Sequence, residues 1–338
     1  MRSLGHLLPS VGDGGAERVA AMLHTLAGTH GVDSVIHPRL REDLRAPWTS
    51  WVAWALRAPR SPEVMHAHLP WPDRLGAALL AARGRPLVVT FHLLPTGDWP
   101  RDRVLKVPSP RVLRAAAQRR RTRWVALSQR DRAELHVCGV AAEIIRNAPP
   151  PPVAYDAPVR FPDGVVRLAS IGRLHPQKGF DLMLDALARL RHLPWHWCVA
   201  GDGESREALV AQRDRLGLSD RVTFLGHLPA SALLASADLL LAPSRAEGMP
   251  LAPMEAVEAG VPVIASDITA HRELFADAPD SVLDDDPGGW WLRLLTLLTE
   301  PDARVQLREA QRAALGADPR ARLWEAYASL YRAVLEER

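Results

Sequence analysis

The sequence has only two cysteines, Cys138 and Cys198, and no CxxC pair. A disulfide framework and a structural zinc site are therefore not expected, and a reducing cytoplasm is the expected compartment. Charge of one sign is scarce: the formal net charge is +3 over 338 residues, which argues against nucleic acid as a partner. Long apolar runs are missing. The start, "MRSLGHLLPSVGDGG", is interrupted by Gly5, His6 and Pro9, too short a run for a secretory signal. No stretch approaches the length that spans a bilayer. Neither GxGxxG nor GxxxxGK[ST] occurs, which argues against a standard nicotinamide or P-loop nucleotide site.

What is present is an ordinary globular composition, 47% hydrophobic and 24% charged. The length exceeds one ordinary core and fits two domains. "SLGHLLP", "VDSVIHP", "EVMHAHL", "PLVVTFHLL", "RWVALSQ" and "AEIIRNAP" read as strands in the first 150 residues. Helical patterns fall between several of them, from Ala16 to Ala27, Asp73 to Ala82 and Arg111 to Arg120. "NAPPPPVAYDAP" then reads as a linker. The alternation restarts with "VVRLASIGRL", "HWCVAGDG", "RVTFLGHL", "ADLLLAPS" and "PVIASD". Strand–helix alternation implies parallel sheets covered on both faces. The expected fold is α/β: two Rossmann-like domains facing across a cleft, one over 1–150 and one over 156–318. Leu323, Tyr327, Leu330, Tyr331 and Val334 recur at helical spacing near the end and predict a terminal packing helix over 321–338.

Open parallel sheets bind ligands beyond the carboxyl ends of their strands, so the strand-to-helix turns are the places to look. In "IGRLHPQKGF", Arg173 and Lys178 stand five residues apart beside Gly172 and Gly179. Two such cations either converge on a diphosphate or are solvated loop residues. In "VAGDGESREAL", Gly201 and Gly203 mark a tight turn. "SRAEGMPLAPMEAVEAG" places Glu247 in a loop and Glu255 in the helix that follows, with Pro250 suited to the first helical position. Carboxylates accept from sugar hydroxyls and a helix N-terminus favours phosphate. In the alternative, Glu255 only supports the helix macrodipole.

"GRLHPQKGFDLMLDAL", "VAGDGESREAL", "RVTFLGHL" and "ADLLLAPSRAEGMPLAPMEAVEAGVPVIASD" together resemble glycosyltransferase family 4 over about residues 165 to 275. "GGAERV", "HAHLP", "TFH" and "ALSQ" resemble its amino half more weakly. The resemblance implies the GT-B fold, with the last helix crossing back onto the N-terminal, acceptor-binding domain. It implies a retaining hexosyltransferase that uses a nucleotide-diphosphate sugar, UDP-sugar before GDP-mannose, with no metal and no other cofactor. Arg173, Lys178, Gly14 and Gly15 would hold the donor diphosphate. Glu247, with Gly248, Met249, Pro250 and Leu251, would hold the donor sugar. Glu255 would bind the ribose, and His227 and Leu228 would lie against the base. His92 matches the histidine near the reacting sugar, so His92 and Glu247 are the expected catalytic pair. The acceptor would be a glycan, a lipid-linked sugar or a small metabolite. The chain departs from the family in reading Glu-Gly-Met-Pro where Glu-Gly-Phe-Gly is common, and Asn147-Ala148 where Asn-Gly is common.

Other signals read as structural. Asp284 to Asp286 is expected to be a solvated cap, not a metal-binding DxD. His66 and His68 are expected to face the cleft or to pack at the strand end without metal, and Trp48, Trp51 and Trp54 to be core. The basic stretch from Arg111 to Arg123 is a solvated face or a peripheral contact at the inner membrane face. Two other functions remain open: a GT-B sugar-nucleotide epimerase and a catalytically silent nucleotide-sugar-binding subunit.

Overall fold

The computed structural model describes residues 1–8, 14–37, 62–69, 85–92, 117–155, 157–283 and 287–337, with backbone alone at 287–289. Two compact units divide the chain. One is Met1–Pro150 with Asp318–Arg338, and the other is Pro151–Ala317. Among the described residues no helix is long and apolar enough to cross a membrane.

In the first unit the chain runs β1 (Ser3–Leu7), α1 (Gly15–Thr29), β2 (Asp33–His37), β3 (Val64–Leu69), β4 (Leu87–Phe91), β5 (Thr122–Ala126), α2 (Gln129–Val137) and β6 (Ala142–Ile144). The sheet is parallel throughout, in the order β2-β1-β3-β4-β5-β6. Alternation along the strands gives it two unlike faces. Leu7, Met65, Ala67, Leu69, Leu87, Val89, Phe91, Trp124 and Ala126 form an apolar face that packs with Leu135 and Val140. The opposite face carries His6, His66, His68, Thr90 and His92, because His6 is in register with His66 and His68 with Thr90.

In the second unit follow β7 (Val166–Ile171), α3 (Phe180–Ala188), β8 (Trp195–Ala200), α4 (Arg206–Arg215), β9 (Val222–Gly226), α5 (Ala230–Leu234), β10 (Leu239–Ala242), α6 (Leu251–Glu258), β11 (Val263–Ser266), α7 (Thr269–Leu274), β12 (Val282–Leu283), α8 (Pro287–Thr299) and α9 (Pro301–Leu315). This parallel sheet has the order β12-β11-β10-β7-β8-β9. The chain leaves β7 towards β8 and β9, then returns to add β10 on the other side. The switch point therefore lies between the carboxyl ends of β7 and β10, where doubly wound sheets take their ligands. The core packs α3, α4 and α8 on one face, with Trp195 and Trp197 among its buried residues.

The last helix, α10 (Pro319–Glu336), belongs to the first unit and packs on β3, β4 and β5. Asp318 caps it by accepting from the Ala321 N–H. Its Leu323, Tyr327, Leu330, Tyr331 and Val334 are buried, as the spacing predicts. The sequence-predicted strands are all found. The two-residue β12 is an addition, too short to carry a period. Pro250 is a correction: it is the N-cap of α6, with φ −73° and ψ 128°, and Leu251 is the first helical residue. Helix Asp73 to Ala82, Trp48, Trp51, Trp54 and Asp284 to Asp286 lie outside the described residues, as does most of Arg111 to Arg120.

Candidate active site

The turns at the carboxyl ends of β7, β8 and β10 are stitched into one platform. Two glycines make this possible. Gly179 has φ +66°, and a Cβ there would lie 1.9 Å from the Pro243 carbonyl oxygen. A Cβ on Gly203 would lie 2.4 Å from the Leu174 carbonyl oxygen. A side chain at either position would hold the loops apart. Backbone bonds then lock them: the Leu174 N–H donates to Asp202 O at 3.0 Å, and the Arg245 N–H to Gln177 O at 2.7 Å. Gln177 Nε2 donates to Ala246 O at 2.7 Å. Arg245 grips Asp181 with two bonds of 2.7 and 2.6 Å, and this holds the Asp181 carboxyl below its usual range even though burial alone would raise it.

On this platform Lys178 and Glu247 meet. Lys178 Nζ donates to Glu247 Oε1 at 2.5 Å, and Ser244 Oγ donates to the same oxygen at 2.7 Å. Burial disfavours the charged carboxylate, but the Lys178 ammonium and these two bonds outweigh it. The Glu247 carboxyl consequently sits below its usual range and is ionised at neutral pH. Arg173, two-thirds exposed at its side chain, donates to Glu204 Oε2 at 2.8 Å. His175 accepts from the Gln177 N–H through Nδ1, which leaves the proton on Nε2, 3.2 Å from Glu204 Oε1. Both expected phosphate-binding cations are thus held by carboxylates on adjoining loops.

His271 stands behind this pair, fully buried. Its Nδ1 lies 2.9 Å from the Ser266 carbonyl oxygen. A carbonyl can only accept, so Nδ1 carries the proton. Burial pushes the ring's pKa down to about 4 against the opposing charge of Glu247. Glu255 lies in α6, 9% exposed. Gly248, Met249, Pro250 and Leu251 lead from Glu247 into that helix and are buried. His227 is exposed just after β9, and Leu228 packs against the core beside it.

The remaining expected residues, Gly14, Gly15 and His92, belong to the first unit. Gly14 is the N-cap of α1 and Gly15 its first residue. His92 follows β4 and is 9% exposed. It belongs to a histidine cluster: His6 Nδ1 lies 3.0 Å from His68 Nε2, and His68 Nδ1 lies 3.1 Å from His92 Nε2. His66 bonds the Tyr331 hydroxyl at 2.7 Å and Thr90 Oγ1 at 2.8 Å, and Thr90 meets the Tyr327 hydroxyl at 2.9 Å. Ligand atoms of His6, His66 and His68 lie within 4.8 Å of one another. In the basic stretch, Arg123 forms an ion pair with Glu337, while Arg111 and Arg114 lie outside the described residues.

The description "Glycosyl transferases group 1" matches residues 155–314, and "Glycosyltransferase Family 4" matches residues 7–151. The chain belongs to the group 1, family 4 glycosyltransferases. This glycosyltransferase is 27% identical over 303 residues to a "D-inositol 3-phosphate glycosyltransferase" of Mycolicibacterium smegmatis, covering 81% of the chain and 69% of that relative. Over 113 residues it is 40% identical to a "Lipopolysaccharide core biosynthesis mannosyltransferase" of Rhizobium leguminosarum, covering 30% of the chain and 32% of that relative. Its alignments with these curated relatives thus span from about a third to about two thirds of their length. Among solved structures it matches the Anabaena protein HepE in complex with UDP and glucose, with a TM-score of 0.73 at 20% identity over 98% of this chain and 100% of that one. It matches a sucrose-phosphate synthase of Thermosynechococcus elongatus with a TM-score of 0.79 at 15% identity, again over 98% and 100%. The fold is therefore GT-B, as the sequence predicts.

Several residues of the platform escaped the sequence reading: Glu204, His175, Ser244, His271 and the Arg245–Asp181 pair. Glu204 carried a signal, since it sits inside the quoted "GDGES" turn. His6 carried none, because its place beside His66 depends on strand register.

Proposed function

We propose that this glycosyltransferase moves a hexosyl group from a nucleotide-diphosphate sugar to a hydroxyl of a carbohydrate, lipid-linked or small polyol acceptor, with retention and without a metal ion. A UDP-sugar is favoured, since HepE was crystallised with UDP and glucose. The name of the mycobacterial relative suggests that polyol phosphates are among the first acceptors to try.

The observation that carries this reading is the Lys178–Glu247 pair at the switch point, with Arg173 beside it on the same turn. A diphosphate arriving there competes with Glu247 for Lys178 and with Glu204 for Arg173. The exchange neutralises the phosphates with fixed cations and releases the Glu247 carboxylate. An ionised carboxylate freed in this way accepts hydrogen bonds from the hydroxyls of the sugar. In the transfer, the acceptor oxygen forms a bond to the anomeric carbon as the bond from that carbon to the diphosphate oxygen breaks. The acceptor proton passes to the departing diphosphate. Lys178 and Arg173 stabilise the charge that develops there, and such fixed charges contribute roughly a hundredfold or more in rate. Glu255 would hold the ribose, and His227 and Leu228 the base.

Calorimetry with UDP-glucose, UDP-N-acetylglucosamine and GDP-mannose tests the reading, followed by transfer assays in excess EDTA. One donor should bind and turn over with chelator present. Failure of all three to bind, or loss of turnover restored by manganese, would contradict it. Turnover of the donor alone to an epimer would replace transfer by epimerisation.

A further inference from the structure

The face of the first unit's sheet that carries His6, His68 and His92 has a proton logic of its own. The three rings form a chain in which Nδ1 of one meets Nε2 of the next, at 3.0 and 3.1 Å. Both distances are those of ordinary hydrogen bonds, and each needs one proton between its nitrogens. His6 and His68 are fully buried and His92 is nearly so. Burial holds all three in the neutral form, with the His6 and His92 pKa values pushed down to about 3.

Three neutral rings carry three protons, and only two arrangements then fill both bonds. If His68 carries its proton on Nδ1, it donates to His92 Nε2. His92 must then hold its proton on Nδ1, and His6 must donate from Nδ1. If His68 carries it on Nε2, all three rings carry it on Nε2. No mixed arrangement satisfies both contacts, so the tautomer of His92 is tied to that of His6 two rings away.

The inner end separates the two arrangements. His6 Nε2 is buried with no partner among the described residues. In the second arrangement it is an orphaned buried N–H, and in the first it is a bare acceptor. Orphaned buried N–H groups are the rarer of the two in proteins. We propose that His6 and His68 are positioning residues that hold the whole chain in the Nδ1–H tautomer, so that His92 presents an N–H donor at its outer nitrogen.

If His92 lies beside the sugar, as the family resemblance implies, it would donate to a sugar oxygen and could not take the acceptor's proton. That consequence rests on the reading of His92 as a residue near the reacting sugar; the proton arrangement does not. A metal held by His6, His66 and His68 would require a different arrangement. It would have to displace one of the two bonds His66 makes through its ring nitrogens, to Tyr331 or to Thr90. Among the described residues, no carboxylate or cysteine joins the three rings.

Ring nitrogens report their own protons. The full chain, labelled with ¹⁵N-histidine, is examined at neutral pH by long-range proton–nitrogen correlation, with rings assigned by single substitution. All three rings should show a protonated Nδ1 and a bare Nε2. In His6→Leu the bare end moves to His68 Nε2, so by the same rule His68 and His92 should keep their Nδ1 protons. In His6→Asp, whose carboxylate only accepts, His68 should donate from Nε2 and both His68 and His92 should switch to the Nε2–H form. An Nε2 proton on any of the three rings in the parent would overturn the proposal. So would a His92 ring that keeps its Nδ1 proton in folded His6→Asp, or a stoichiometric transition metal whose removal by chelator shifts the ring signals. The parent spectrum decides the tautomer even if a variant fails to fold. A protein that bound no nucleotide sugar would keep the same spectra, so the transfer reading and the tautomer reading fail separately.

Discussion

Lys178 and Glu247, 69 residues apart in sequence, meet at 2.5 Å where the turns after β7 and β10 converge. The contact is a charge-assisted bond in a partly buried place. Lys178→Ala should leave the Glu247 carboxylate without its cation and destabilise the second unit by about 1–3 kcal/mol. The same change should cost nucleoside-diphosphate affinity tenfold or more. Chemical denaturation and calorimetry read the two effects. Adding Glu247→Gln to Lys178→Ala should recover part of the stability, because the uncompensated charge is then gone. Additive losses would show that the two side chains do not depend on one another.

Glu204 competes with the ligand for Arg173. Their pair is largely solvated, and such pairs are worth only about 0.2–1 kcal/mol. Glu204→Gln should therefore tighten nucleoside-diphosphate binding by no more than about fivefold. A weaker complex, measured by the same calorimetry, would place Glu204 on the ligand's side of the exchange.

The platform was largely legible in the sequence, and the reason is local. Arg173, Lys178, Gly179, Glu247 and Pro250 lie in short turns bounded by strands whose apolar runs are unmistakable. Their positions follow from the order of elements. The pairings do not. That Lys178 reaches Glu247 depends on how closely Gly179 lets its turn approach Pro243. That Glu204 reaches Arg173 depends on Gly203 in the same way. The histidine face was half legible. "HAH" and "TFH" show alternation, but the addition of His6 needs the β1–β3 register. The hydroxyls of Tyr327 and Tyr331 need α10 in place on the sheet. The spacing marked both tyrosines as packing residues and said nothing of their polar ends.

Tyr331→Phe tests that polar role. It removes the hydroxyl bonded to His66 at 2.7 Å and leaves Nδ1 of a buried ring without a partner. The expected loss in the first unit's stability is about 1–3 kcal/mol, read by denaturant unfolding. A neutral result would show that the ring finds another partner.

The buried histidines also set a pH dependence. His6, His66, His68 and His92 all have pKa values lowered first by burial, those of His6 and His92 to about 3. In the unfolded chain each titrates near pH 6.5. Between those values the unfolded state binds more protons, so stability falls as pH falls. The decline should begin near pH 6.5 and continue towards pH 3, by up to about 1.4 kcal/mol per pH unit for each ring. Above pH 7 these rings contribute no slope. Unfolding curves at pH 7.5, 6 and 5 check the sign, and stability rising on acidification would refute it.

The central claim is that Glu247 serves the sugar and Lys178 the phosphates of one donor. Glu247→Gln separates them, since it keeps the shape of the side chain and removes its charge. Calorimetry on this variant with the free nucleoside diphosphate and with the intact donor measures both. The nucleoside diphosphate, which has no hexose and no longer competes with Glu247 for Lys178, should bind at least as tightly as to the parent. The intact donor should lose about one to two decades of affinity. Equal losses for the two ligands would contradict the account.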